Sequence, residues 1–293
     1  MSRTLNVACV QTNSARDVAA NLETVPPLVR AAKDAGAEFV LLPENVGMLE
    51  PDTALWQEKA LAEEDHPALA AFRALAREAD VWLLVGSLAI RLHGDKVANR
   101  SILLDNAGRI VARYDKIHLF DVDLDGGESY RESATIAPGD RAVVADTPWG
   151  WLGMSVCYDL RFPHLYRSLA KAGADFLSIP AAFTRTTGRA HWHVLQRARA
   201  IETGCYVFAP AQCGVHAMGR ETFGHALIVD PWGVVLADAG EDVGFIMAEI
   251  DPARVAEARR KIPALTHDRP YAEPGAAPDP AHVRVGGRCD GPG

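Results

Sequence analysis

Apolar positions fall in short runs along this chain, separated by amphipathic stretches. Leu5 to Val10 reads as a strand, and about Asn21 to Ala35 reads as a helix stopped by Gly36, with Pro26 and Pro27 tolerable only near its first turns. Phe39 to Leu42 is a wholly apolar strand, and Glu44 follows it directly after Pro43. Ala68 to Ala79 has helical periodicity and leads into the strand Val81 to Val85. Val97 to Leu104 and Arg109 to Tyr114, joined by Asp105-Asn106-Ala107-Gly108, predict a hairpin with Lys116 just beyond its second strand. Ile117 to Asp140 has little periodicity, is rich in Asp, Gly and Glu, and is long enough to be a functional loop.

Leu152 to Cys157 resumes the strand pattern. Helices over about Pro163 to Ala172 and Ala190 to Thr203 then alternate with strands Phe176 to Ile179 and Tyr206 to Ala209. This alternation predicts α/β layering. The end is richer in strands: Ala226 to Val229, a turn at Asp230 to Gly233, Val234 to Ala237 and Phe245 to Ile250, then a helix from about Pro252 to Lys261. Residues 1–272 read as one domain. The Pro-, Gly- and Ala-rich stretch from Glu273 to Gly293 reads as an extended or disordered tail.

A chain of 293 residues is long enough to bury a large core. The net charge of −8, with no Lys/Arg-rich block, argues against a nucleic-acid partner. No apolar run approaches the ~20 residues of a membrane span, and none near Met1 has the length of a signal core, so a cytoplasmic protein is expected. Five scattered cysteines, an odd number, do not form a secreted disulfide framework, and reduced thiols are expected.

Glu44, Lys116 and Cys157 share one property: each lies at or just after the end of a predicted strand, and in a layered α/β fold such ends converge on one rim. A carboxylate to take a proton, an ammonium to hold an oxyanion and a thiol to form a thioester together suit amide hydrolysis. Other chemistries lack their residues. There is no Gly-x-Ser-x-Gly elbow, Walker loop or dinucleotide fingerprint, and no Asn follows Asn106 to complete a papain-like site. Cys213 and His216 with His225, or His191 with His193, lack a second tight ligand pair, so no metal is expected.

Three ordered segments carry a resemblance: Leu41-Leu42-Pro43-Glu44-Asn45, Tyr114-Asp115-Lys116-Ile117-His118-Leu119-Phe120, and Gly153-Met154-Ser155-Val156-Cys157-Tyr158-Asp159-Leu160-Arg161-Phe162-Pro163. In these the chain resembles the nitrilase superfamily of carbon–nitrogen hydrolases, from Leu5 to Tyr271. The resemblance implies a four-layer α-β-β-α sandwich, a homodimer or higher homo-oligomer, and no metal or organic cofactor. It also implies Glu44 as general base, Lys116 as oxyanion-stabilising lysine and Cys157 as nucleophile. Glu132 would position Lys116 and the substrate nitrogen, and the backbone N–H of Tyr158 would complete the oxyanion hole.

Tyr158-Asp159 in place of the Trp-Glu typical of true nitrilases shifts the expectation from nitriles to amides, and the segment resembles the Nit branch. The implied reaction hydrolyses a small carboxylate-bearing amide to acid and ammonia through a Cys157 thioester. Arg197 to Val207 and Ala211 to His216 are more similar to amidases of deaminated glutathione than to ω-amidases acting on α-ketoglutaramate or succinamate. Arg161 is a candidate to bind a substrate carboxylate or to pair internally with Asp159, and Phe183 and Thr187 are candidates to line the same rim. The rival from another class is a non-catalytic binding protein with this fold, which the intact Glu44, Lys116 and Cys157 argue against.

Overall fold

The computed structural model describes residues 4–94, 96–123 and 129–271; the tail expected from Glu273 to Gly293 lies outside the described residues. In chain order the first half contains β1 (Leu5–Thr12), α1 (Val18–Asp34), β2 (Phe39–Leu41), α2 (Thr53–Lys59), α3 (Pro67–Ala79), β3 (Trp82–Arg91), β4 (Val97–Leu104), β5 (Ile110–Asp115), β6 (Asp121–Asp123) and β7 (Ser129–Arg131). The second half contains β8 (Val143–Thr147), β9 (Gly150–Met154), α4 (Pro163–Lys171), β10 (Phe176–Ser178), α5 (Arg185–Thr203), β11 (Tyr206–Ala209) and β12 (Ala211–Val215). It ends with β13 (Glu221–Phe223), β14 (Leu227–Val229), β15 (Val235–Asp238), β16 (Gly244–Ile250) and α6 (Ala253–Lys261).

Strand alternation builds the layers. In β1 and β2, Leu5, Val7, Cys9, Phe39 and Leu41 point to one side, where they meet Leu152, Met154, Phe176 and Phe208 of a second sheet. Ala8, Val10, Val40 and Leu42 point to the other, against Val25 and Val29 of α1 and Phe72 of α3. Helices α4 and α5 cover the second sheet, giving the α-β-β-α sandwich. The first sheet has the order β13-β12-β1-β2-β3-β4-β5 with β16 antiparallel to β1, and the second β15-β14-β11-β10-β9-β8. Phe39 crosses between the sheets to meet Phe208 edge-on at 6.5 Å. Each fully buried phenylalanine of this kind is worth about 1.5–3 kcal/mol.

Helix α1, helix α5 and the segment after Lys116 differ from the sequence pattern for local reasons. Helix α1 begins earlier than expected because Asp17 caps it, accepting from Ala19 N at 2.8 Å, which leaves Pro26 and Pro27 in mid-helix. Their missing N–H bonds are offset by the buried face of Asn21, Val25, Val29 and Ala32. Helix α5 starts at Arg185 because Thr184 caps it, and the early Gly188 is needed there: a Cβ would lie 2.3 Å from the Phe223 ring. The segment after Lys116 is not pure loop; β6 and β7 pair within it, and a 3₁₀ turn over Glu132–Ala134 follows.

Candidate active site

Strand ends deliver the site. Strand β2 stops at Leu41, and Glu44 is set by a close backbone approach: a Cβ on Gly86 of β3 would lie 2.0 Å from the Leu42 carbonyl oxygen. Ser87 accepts the Asn45 N–H at 2.9 Å, fixing the turn that presents Glu44. Parallel strands β9 and β10 end side by side, and their extensions carry Cys157 and Ala182. Cys157 opens a 3₁₀ turn with φ of 51°, a left-handed conformation that costs a side-chain-bearing residue about 1 kcal/mol or more.

Asp159 holds that turn in place. Fully buried, it accepts from Val156 N at 2.8 Å, Tyr114 Oη at 2.6 Å and His118 N at 3.0 Å, and lies 2.7 Å from His118 Nδ1. It therefore ties the Cys157 turn to β5 and to the segment after Lys116. The sequence offered Asp159 as an ion-pair partner for Arg161; its contacts lie elsewhere.

Glu44, Lys116, Glu132 and Cys157 come together in one cleft. Lys116 Nζ lies 3.0 Å from Glu44 Oε1 and 2.9 Å from Glu132 Oε2, and Lys116 and Glu44 are 1% and 2% exposed. Asn99 Nδ2 donates to Glu44 Oε1 at 2.9 Å and Ala182 N to Oε2 at 2.8 Å, while the Cys157 thiol stands beside the same carboxylate in the cleft. Glu132 is anchored by Phe120 N at 2.8 Å. The Tyr158 N–H lies in the first turn of the 3₁₀ segment, among donors that have no intrahelical acceptor.

Burial favours the neutral form of Glu44, but Lys116, Cys157 and the Ala182 N–H outweigh it and hold the carboxyl below its usual range. Burial likewise opposes the Lys116 charge and is overcome by Glu132 and Glu44, so the ammonium is firmly protonated. For Cys157, burial first and the Glu44 charge second push the thiol well above its ordinary range, against the pull of Lys116. The resting site is therefore carboxylate, ammonium and neutral thiol. Inactivation by iodoacetamide is expected to show no inflection near the free-thiol value of ~8.5. A midpoint there in the inactivation rate would contradict this assignment.

Phe183 and Thr187 line the cleft with Tyr158 and Thr184. Arg161 is not among the lining residues. Its guanidinium carbon stands 5.2 Å from the Phe183 ring centroid and 5.8 Å from that of Tyr158, with Nη1 3.3 Å from His191 Nδ1. The arginine that lines the cleft is Arg220, which the sequence reading did not single out. No periodicity or motif marks it; it stands just after a short turn between β12 and β13, and only the antiparallel pairing of those strands brings it to the rim.

The histidines considered as metal ligands regroup: among the described residues His193 and His225, from different candidate sets, come together with Asp238, their ligand atoms within 4.8 Å of one another, while His216 is not part of that group. His216, buried and pushed down to about 4, faces Thr222 Oγ1 at 2.7 Å and Ser14 O at 3.1 Å. His193 and His225 flank Asp238 at 2.9 Å each, linking α5 to β15.

The sequence profile of the carbon-nitrogen hydrolase family matches residues 6–260. The chain belongs to the carbon–nitrogen hydrolase family. It is thus a hydrolase of carbon–nitrogen bonds other than peptide bonds, in the nitrilase superfamily. It is 44% identical over 265 residues to the deaminated glutathione amidase of Synechocystis sp., covering 89% of this chain and 96% of that one. It is 42% identical over 270 residues to the human protein of that name, covering 90% and 82%. Among solved structures, the C. elegans NitFhit protein superposes with a TM-score of 0.86 at 37% identity, covering 92% of this chain and 66% of that chain. Saccharomyces cerevisiae Nit3, a branch 10 member of the nitrilase superfamily, gives 0.81 at 30% identity, covering 90% and 96%.

Proposed function

We propose that this hydrolase is a thiol amidase for a carboxylate-bearing amide, with deaminated glutathione as its substrate. The observation that carries the reading is the buried Glu44 carboxylate bonded to the Lys116 ammonium, with the Cys157 thiol beside it in one cleft. Sulfur attacks the amide carbon as Glu44 takes the thiol proton, and Lys116 with the Tyr158 N–H stabilises the oxyanion. Glu44 passes that proton to the nitrogen, the C–N bond breaks and the amine leaves. Water, deprotonated by Glu44, then attacks the thioester; the C–S bond breaks, the thiol is reprotonated and the acid departs.

The leaving group follows from the substrate. A primary amide gives ammonia, whereas a glutathione-derived amide, whose nitrogen belongs to a cysteinylglycine unit, gives that dipeptide. Measuring kcat/KM for deaminated glutathione, α-ketoglutaramate, succinamate and a simple nitrile tests the assignment. Deaminated glutathione should lead and the nitrile should be inert; a preference for succinamate would reassign the enzyme among the ω-amidases.

The same reading includes a cytoplasmic homodimer. Its support is the apolar exposure of Val194 and Ile201, at 67% and 55%, two turns apart on one face of α5. Among the described residues no helix is long and apolar enough to cross a membrane. Light scattering on the purified chain checks the dimer.

A further inference from the structure

A cavity of about 420 Å³ adjoins the catalytic cleft, within the size range of small-molecule sites. Phe120, Glu132 and Arg220 line both spaces, so the cavity opens onto the cleft beside a carboxylate able to accept an amide N–H. Its polar lining is unspent. Asn45 Oδ1, Asn99 Oδ1, Thr135 Oγ1 and Arg220 Nε are buried atoms without a hydrogen-bond partner among the described residues, and all four residues line this one cavity. Folded proteins leave few such atoms unpaired, and four of them on residues that line one space single out this region.

The charges are equally selective. Glu50 is paired with Arg16 and Lys59, Arg131 with Asp123 and Glu132 with Lys116. Arg220 has no carboxylate partner among the described residues; its Nη2 donates to the Ala182 carbonyl at 3.3 Å and its guanidinium lies 5.6 Å from the Tyr130 ring centroid. A guanidinium steadied in this way keeps donors for a carboxylate.

We propose that this cavity is the leaving-group subsite, built for a peptide-like amine whose terminal carboxylate is read by Arg220. The inference rests on the amidase reading and deepens it. An amide of ammonia leaves the subsite unused; a secondary amide carrying a dipeptide acid fills it.

Three substrates sharing one acyl group test the proposal on the purified full chain: α-ketoglutaryl-cysteinylglycine, the same compound with a C-terminal amide, and α-ketoglutaramate. The free acid should exceed its C-terminal amide in kcat/KM by on the order of 10- to 100-fold, the range of a charge-assisted hydrogen bond. Arg220→Gln should shrink that ratio to within about threefold and Arg220→Lys should restore part of it, because only the carboxylate contact separates the two compounds. Free cysteinylglycine should also inhibit α-ketoglutaramate hydrolysis competitively and more strongly than its amide, a measurement that needs no variant. Equal turnover of acid and C-terminal amide, or a ratio that survives in Arg220→Gln, means the cavity holds only water and overturns the subsite while leaving the amidase reading intact. Silence on all three substrates overturns both.

Discussion

Cys157→Ala is expected to lower turnover by on the order of 10⁴-fold or more, because on the proposed mechanism it removes the covalent nucleophile and leaves only binding and electrostatic assistance. The substitution removes one sulfur from a side chain that is 7% exposed and leaves the Asp159 contacts that shape the turn. The fold should therefore persist. Circular dichroism and thermal melting verify that, and acid-quenched mass spectrometry of the unaltered chain during turnover should find an acyl adduct that the variant lacks. Turnover preserved in a folded Cys157→Ala protein would remove the nucleophile from the site. Because the thiol rests neutral against Glu44, the acylation rate should depend on Glu44 as well as on the sulfur.

Lys116→Met carries the second-largest expected effect, and it appears in both rate and stability. Loss of an oxyanion donor costs about 10²- to 10³-fold in turnover. The substitution also strands Glu44, and beside it Glu132, as carboxylates without their ammonium in a buried site, a loss of about 3–5 kcal/mol. With burial no longer outweighed, the Glu44 carboxyl should rise above its unfolded value instead of lying below it. A raised folded pKa gives stability that is present at low pH and lost as pH climbs through that value. The variant should therefore melt higher at pH 5 than at pH 8, where the buried Glu44 carboxyl must ionise. Equal melting temperatures at the two pH values, or undiminished activity, would show that the ammonium does not hold this cluster together.

The three strand-end residues were legible because their neighbours are short and specific. Leu41-Leu42-Pro43 leads an apolar strand into Glu44, Tyr114-Asp115 leads the hairpin into Lys116, and Leu152 to Val156 leads to Cys157. In each case a strand ends at or just before the polar residue, and layering puts such ends together. Asp159 was visible as a residue but not as a role, since its partners Tyr114 and His118 come from another sheet's connection. Arg220 was not visible at all. Local pattern carries no information about which side chain a distant strand pair will bring to a rim.

The sequence by itself determined the layered α/β class, most element positions and the Glu44, Lys116 and Cys157 set, because burial periodicity and short motifs are local properties of the chain. Only the tertiary structure decided the charge state of that set, the left-handed turn at Cys157 and the choice of Arg220 over Arg161 as the arginine facing the cleft. Protonation, strain and pocket lining depend on distances between residues far apart in sequence, and those distances exist only once the two sheets have packed.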